Sequence, residues 1–173
     1  LCTLGNGYFC TRGAAQEADA DQYHYPGTYL AGGYNRLKTE ISGHILENED
    51  LVNMPNWLPL TFRVVDEQVN EEWFHPQNVK ILSYHQELDF RQGILIRDIR
   101  FQDEGNRISR LISRRLVHMR FPHLAAQEIK LEPENWSGTV EIRSALDGRV
   151  INDGVPRYRA LKSRHLDPLD TGY

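Results

Sequence analysis

From residue 60 to residue 146 the chain repeats one pattern, apolar residues alternating with polar ones and then a turn signal, and few architectures accept it. Leu60, Phe62 and Val64 alternate with Thr61 and Arg63, the period of a half-buried strand. Leu82, Tyr84, Leu88 and Phe90 keep one parity through Ile81 to Arg91, with Gln86 as the exception. Gly93 breaks the run, Ile94 to Asp103 forms the next strand, and Glu104-Gly105-Asn106 is a tight-turn signal. Arg107 to Met119 returns, Pro122 interrupts, and Leu124 to Leu131 and Thr139 to Leu146 follow. Long strands joined by short turns predict an antiparallel meander, so the chain reads as all-β.

The strand from Arg107 to Met119 departs from simple alternation. Its even positions carry Ile108, Arg110, Ile112, Arg114, Leu116 and His118, and its odd positions Ser109, Leu111, Ser113, Arg115, Val117 and Met119, so neither face is purely apolar. A large β-sandwich beside a second domain supplies such an environment. Cross-strand acid–base pairs are the simpler account of the arginines.

The first third is less regular. Asn6-Gly7 is a tight-turn signal, since both residues tolerate positive φ. Gly5 and Gly13 leave room for close backbone approach. Gln16 to Asp21 reads as a loop, Thr28 to Tyr34 as a short strand, and the polar stretch Asn35 to Asp50 as a turn or short helix. Leu51 to Pro59 is too rich in proline for a helix and reads as an extended connection.

Composition limits the function classes. With 173 residues the chain is one ordinary domain, able to build a core without metal or disulfide support. A net charge of −4 gives no drive toward nucleic acid or anionic membranes, and no apolar run approaches the ~20 residues that span a bilayer. Eight arginines lie between Arg91 and Arg120 against Asp98, Asp103 and Glu104, but Glu128, Glu132, Glu134 and Glu141 follow on neighbouring strands, which disfavours a nucleic-acid face. Cys2 and Cys10 suit free thiols in a reducing compartment, and a cytoplasmic location is expected. Because the sequence begins with Leu1 and not Met, it is expected to start inside a longer protein.

Glycoside cleavage requires positioned carboxylates, and two acidic pairs qualify by spacing. Glu71 and Glu72 sit beside Trp73, and Glu87 and Asp89 share a strand face. Both pairs read more simply as solvated surface. Tyr23, Tyr25, Tyr29 and Tyr34 cluster early while Trp57, Trp73 and Trp136 are scattered; exposed rings would stack on sugars, and buried ones fill the core.

Several segments, in order, resemble glycoside hydrolase family 65, the family of maltose, trehalose and kojibiose phosphorylases. They are Leu4 to Gly13, Gly27 to Gly32, Leu51 to Trp57, Leu88 to Leu95, Ser113 to Val117, His123 to Ala126, Asn135 to Gly138 and Ser144 to Val150. The resemblance covers nearly the whole chain and implies that residues 1–173 are the N-terminal domain, a large antiparallel β-sandwich of the galactose-mutarotase-like type. It implies as partner a C-terminal (α/α)6 barrel that carries a glutamate general acid. There inorganic phosphate, a co-substrate and not a cofactor, attacks an α-glucoside disaccharide with inversion, or water does so in hydrolytic members. The barrel motifs do not occur before Tyr173, so no catalytic residue is carried over, and no metal or cofactor site is implied. Asn6, Gly7 and Arg12 are the candidate barrel-interface residues, and a homodimer is a candidate assembly. A carbohydrate-binding module and a self-contained mutarotase-like epimerase are the alternatives.

Overall fold

The computed structural model describes residues 2–21, 24–65, 72–153 and 160–172, and these form antiparallel β-structure with no helix among them. Strands β1 (Leu4–Gly5), β2 (Phe9–Thr11) and β3 (Thr28–Leu30) make a small sheet in the order β1-β2-β3. Strands β4 (Tyr34–Ile41) and β5 (His44–Leu51) pair as a hairpin, and β6 (Leu60–Val65) follows the extended connection. Strands β7 (Lys80–Asp89), β8 (Ile94–Gln102), β9 (Ile108–Val117) and β10 (Ala125–Pro133) form the expected meander, ordered β10-β9-β8-β7. Strand β11 (Thr139–Ser144) leaves it and pairs with β6.

Three expectations are corrected, the first being the strand from Thr28 to Tyr34: β3 stops at Leu30, a turn with Gly32 at φ 78° follows, and Tyr34 opens β4. The stretch from Asn35 to Asp50 holds no helix; it is the β4–β5 hairpin, turned at Ser42 (φ 52°) and Gly43 (φ 80°). Positive φ at both central residues matches the right-handed twist of the flanking strands, which is why Ser-Gly closes it. Phe90 lies beyond the end of β7 and is 88% exposed, because Asp89 turns the chain. The Asp89 carboxylate accepts from the amides of Arg91 (2.8 Å) and Gln92 (3.0 Å), and Gly93 follows at φ 66°.

One face of the four-stranded sheet is buried. It is built from Leu95, Arg97, Ile99 and Phe101 on β8 and Ser109, Leu111, Ser113, Arg115 and Val117 on β9. The register sets small against large, Phe101 opposite Ser109 and Arg97 opposite Ser113, which keeps the face level enough to be covered. At one end Phe62, Phe74, Ile99, Phe101 and Leu111 make an apolar cluster, with the Phe62 and Phe74 rings stacked 5.0 Å apart. At the other end Leu95 and Val117 meet Leu4 of the N-terminal hairpin. Between the two clusters lie Arg97 and Arg115, crossed by the strap of residues 12–17.

The opposite face resolves the mixed pattern of β9. Arg110 pairs with Asp98 (2.5 Å) and reaches Glu132 (3.8 Å), while Arg100 pairs with Glu134 (2.6 Å). Acid–base pairing across strands therefore accounts for these arginines, as the simpler reading expects, and Ile96, Ile112 and Leu116 sit half-buried among them.

In urea denaturation Phe101→Ala lowers stability by about 3–4 kcal/mol, whereas Phe90→Ala changes it by no more than about 0.5 kcal/mol. Hydrogen bonds from Arg110 hold the Asp98 carboxyl below its ordinary value of 3.8, against the opposing effect of burial. A carboxyl depressed by folding contributes stability above its unfolded pKa and loses it as pH falls through the folded one. The stability difference between the wild type and Asp98→Asn is therefore full at neutral pH and shrinks below about pH 4, read by thermal unfolding across pH.

Candidate functional site

The β1–β2 turn is fastened through one side chain. The Asn6 Oδ1 accepts from the amides of Tyr8 (3.0 Å) and Phe9 (2.8 Å), while the Asn6 amide donates to the Phe9 carbonyl (3.1 Å). Its Nδ2 reaches across the fold and donates to the carbonyls of His118 (2.8 Å) and Pro122 (3.1 Å) in the β9–β10 connection. Gly7 takes φ 88° at the apex, a conformation that side-chain-bearing residues avoid. The signal legible in Asn6-Gly7 is thus the turn; the reach to residues 118 and 122 is not encoded locally.

The β9–β10 connection is itself organised around a ring. His118 Nδ1 accepts from the amides of Arg120 (3.0 Å) and Phe121 (3.0 Å), and the ring lies 4.9 Å from that of Phe121. Tyr8 meets His123 edge-on at 4.5 Å. Met119, Phe121 and Leu124 remain exposed, giving an apolar rim beside the Asn6 turn.

Arg12 leads the strap away from this turn. Its amide donates to the Gly27 carbonyl (2.8 Å), and its guanidinium lies 4.5 Å from the centre of the Tyr25 ring. Burial and the Tyr25 hydroxyl push the Tyr29 phenol up, with Arg12 working against them. Gly13 admits no side chain, since a Cβ would lie 2.5 Å from the Cys2 carbonyl oxygen. Asn6 and Gly7 are therefore together at a turn tip, and Arg12 stands apart from them on the Tyr25–Tyr29 pair.

Sequence reasoning missed the asparagines of the 51–59 connection. Asn53 Oδ1 accepts from the Thr28 amide (3.0 Å), and its Nδ2 donates to the carbonyls of Pro26 (3.2 Å) and Ile151 (3.1 Å). Asn56 exchanges backbone hydrogen bonds with Asp147 at 2.8 Å in each direction. Asparagine beside proline in an extended segment was the available sign, because such a segment needs side chains to pair its backbone.

The acidic pairs take structural positions. Glu87 faces His85 (3.1 Å) on the exposed β7 edge, and Asp89 caps its turn. Glu72 accepts from Asn78 (2.7 Å), and Glu71 lies outside the described residues. The tryptophans are engaged by protein groups: Trp57 Nε1 donates to Thr11 (3.3 Å), Trp136 Nε1 to Ser109 (2.9 Å), and Trp73 carries the guanidiniums of Arg63 (4.9 Å) and Arg143 (4.4 Å).

Comparison with known proteins gives the surrounding context. The sequence model described as glycosyl hydrolase family 65, N-terminal domain, matches residues 1–172. An uncharacterized glycosyl hydrolase of Mycobacterium tuberculosis (strain ATCC 25618 / H37Rv) is 48% identical over 166 residues, covering 96% of this chain and 12% of that protein. A kojibiose phosphorylase of Halothermothrix orenii is 32% identical over 158 residues, 91% of this chain and 18% of its own length. A trehalose 6-phosphate phosphorylase of Lactococcus lactis subsp. lactis is 30% identical over 168 residues, 96% of this chain and 20% of its own length. The chain thus spans between 12% and 20% of the length of these curated relatives.

Asn6→Ala removes both the turn bonds and the cross-fold bonds, and lowers stability by about 2–3 kcal/mol in thermal or denaturant unfolding. Asn6→Asp keeps the acceptor for Tyr8 and Phe9 but sets an oxygen against two carbonyls, so it is no more stable than the alanine variant. Wild-type stability in Asn6→Asp would show that the reach to residues 118 and 122 contributes nothing.

Proposed function

This chain belongs to glycosyl hydrolase family 65 as an N-terminal domain, and from that membership we propose that it is the non-catalytic β-sandwich, of the galactose-mutarotase-like type, of a longer enzyme. The enzyme cleaves an α-glucosidic disaccharide by inverting phosphorolysis, and an (α/α)6 barrel elsewhere in the polypeptide performs the chemistry. Inorganic phosphate is the co-substrate. The phosphorylase names of relatives that align over nine-tenths or more of this chain support the reaction type. The enzyme is cytoplasmic on this reading.

One observation carries the scaffold role: the Asn6 turn is bonded to a connection that exposes Met119, Phe121 and Leu124 together, 75%, 56% and 48% open to solvent. Clustered apolar side chains on a rigid turn form a docking edge. The catalytic domain of the same polypeptide is the occupant, with Asn6 and Gly7 at the contact and Arg12, on the Tyr25–Tyr29 pair, as a second contact away from the turn. The acidic pairs support assigning the chemistry elsewhere, since His85 and the Asp89 turn already engage the Glu87 and Asp89 carboxylates.

The natural polypeptide, incubated with phosphate and maltose, trehalose, kojibiose or nigerose in turn, forms β-glucose 1-phosphate from one of them. Phosphate-independent glucose release would replace phosphorolysis with hydrolysis, and no turnover of any α-glucoside would contradict the assignment. In the same polypeptide Phe121→Asp lowers the unfolding midpoint by about 2–4 °C. Retention of wild-type stability and activity by both Phe121→Asp and Arg12→Ala would contradict the docking edge.

A further inference from the structure

The charged layer between the two apolar clusters is unbalanced. Arg97 is ion-paired with Glu17, whose side chain is fully buried. Arg115 lies in the same layer, with only 6% of its surface exposed, yet its guanidinium bonds neutral groups, the carbonyls of Ala14 (3.1 Å) and Arg12 (3.4 Å). Two guanidiniums against one carboxylate leave one positive charge inside the fold without a partner of opposite sign among the described residues. A lone buried ion of this kind is strongly disfavoured unless something neutralises it.

The layer also contains a small cavity with the matching chemistry. A cavity of about 20 Å³ lies between residues 13–15 of the strap and the sheet, lined by Ala14, Ala15 and Leu95 on its apolar part and by Gln16, Gln86, Arg97, Ser113 and Arg115 on its polar part. Two of the lining residues carry a buried donor, Arg115 Nε and Gln16 Nε2, that has no acceptor among the described residues. Glu17 Oε2, a buried acceptor without a donor, belongs to a residue outside the lining. Beside the apolar surface of Ala14, Ala15 and Leu95, the walls thus carry residues with N–H and O–H groups and positive charge. The volume holds about one water-sized particle, which favours a small ion over phosphate, sulfate or a sugar, and exposed Gln86 marks the side nearest solvent. At Gly13 the strap is packed closely on the Cys2 backbone, with no room for even a Cβ.

We infer that this cavity binds a single monatomic anion, chloride under physiological conditions, which serves as the counter-ion of Arg115 and clamps the 12–17 strap to the β8–β9 face. Burial and the neighbouring Arg97 push the Arg115 guanidinium down to about 10, only partly offset by Glu17, and an anion at Nε opposes that shift. The site is independent of the disaccharide chemistry proposed above and survives any outcome of that assay.

The test uses the natural polypeptide in sodium chloride, sodium bromide and sodium gluconate at equal ionic strength. Crystals grown in bromide show an anomalous peak within hydrogen-bond distance of Arg115 Nε and Gln16 Nε2. The unfolding midpoint is higher in either halide than in gluconate by about 2–4 °C. Arg115→Gln abolishes that difference, whereas Arg114→Gln, which alters an exposed arginine one residue away, preserves it and so separates the site from general salt effects. If Arg115→Gln does not fold, Gln16→Leu reports instead, with a reduced halide difference. A water in the cavity with no anomalous peak, or a midpoint equal in halide and gluconate, overturns the inference.

Discussion

The covering of the β8–β9 face by the N-terminal segment is the constraint on which the rest of this structure depends. A four-stranded sheet with one apolar face is unstable in water until something lies across that face. Here β6 with Phe74 covers one end and the N-terminal hairpin the other, so residues more than seventy positions from the sheet complete its core. The strap between them crosses where the face carries arginines: Glu17 pairs with Arg97, and the carbonyls of Arg12 and Ala14 accept from Arg115. Leu60 at the start of β6 donates its amide to the Gln16 carbonyl (3.2 Å), so the strap also positions the other cover.

That arrangement explains why the N-terminal segment is held so firmly at its apex. The hairpin contributes only Leu4 to the buried part of its cluster, with Cys2 and Phe9 packed against it, which is little apolar surface for seating a separate element. Asn6 compensates with hydrogen bonds, using both its acceptor and its donor side. A rigid turn tip next to exposed Met119 and Phe121 then follows directly. Function, on the reading proposed, uses rigidity made for folding: an edge that holds the fold closed is also the edge offered to the catalytic domain.

Much of the sheet was legible in the sequence, because its signals are local. The β7 to β10 meander follows from alternation broken by Gly93, Asn106 and Pro122, and the strand limits fall within two residues of those expected. The β4–β5 hairpin was not legible as strands, since both its faces are largely solvated and Ile45 and Leu46 are exposed, leaving no apolar period to read. Parity extended too far at Phe90, where the turn made by Asp89 outcompetes the strand. The odd-numbered face of β9 grouped Arg115 with Leu111 and Val117, but nothing near residue 115 announces that a strap one hundred residues earlier will bury it. The same holds for Asn6: its turn is a local property, and its bonds to residues 118 and 122 are a property of the folded chain.

Native-state hydrogen exchange tests most directly whether the N-terminal segment is part of the core. The Phe9 amide bonds Asn6, the Arg12 amide bonds Gly27, and Ile99 and Leu111 lie at the centre of the buried face. Integral covering predicts that the Phe9 and Arg12 amides exchange through the same cooperative opening as those of Ile99 and Leu111, with the same dependence on denaturant. Exchange of Phe9 and Arg12 orders of magnitude faster, through a denaturant-independent local opening, would show that the hairpin and strap rest on a sheet that is stable without them.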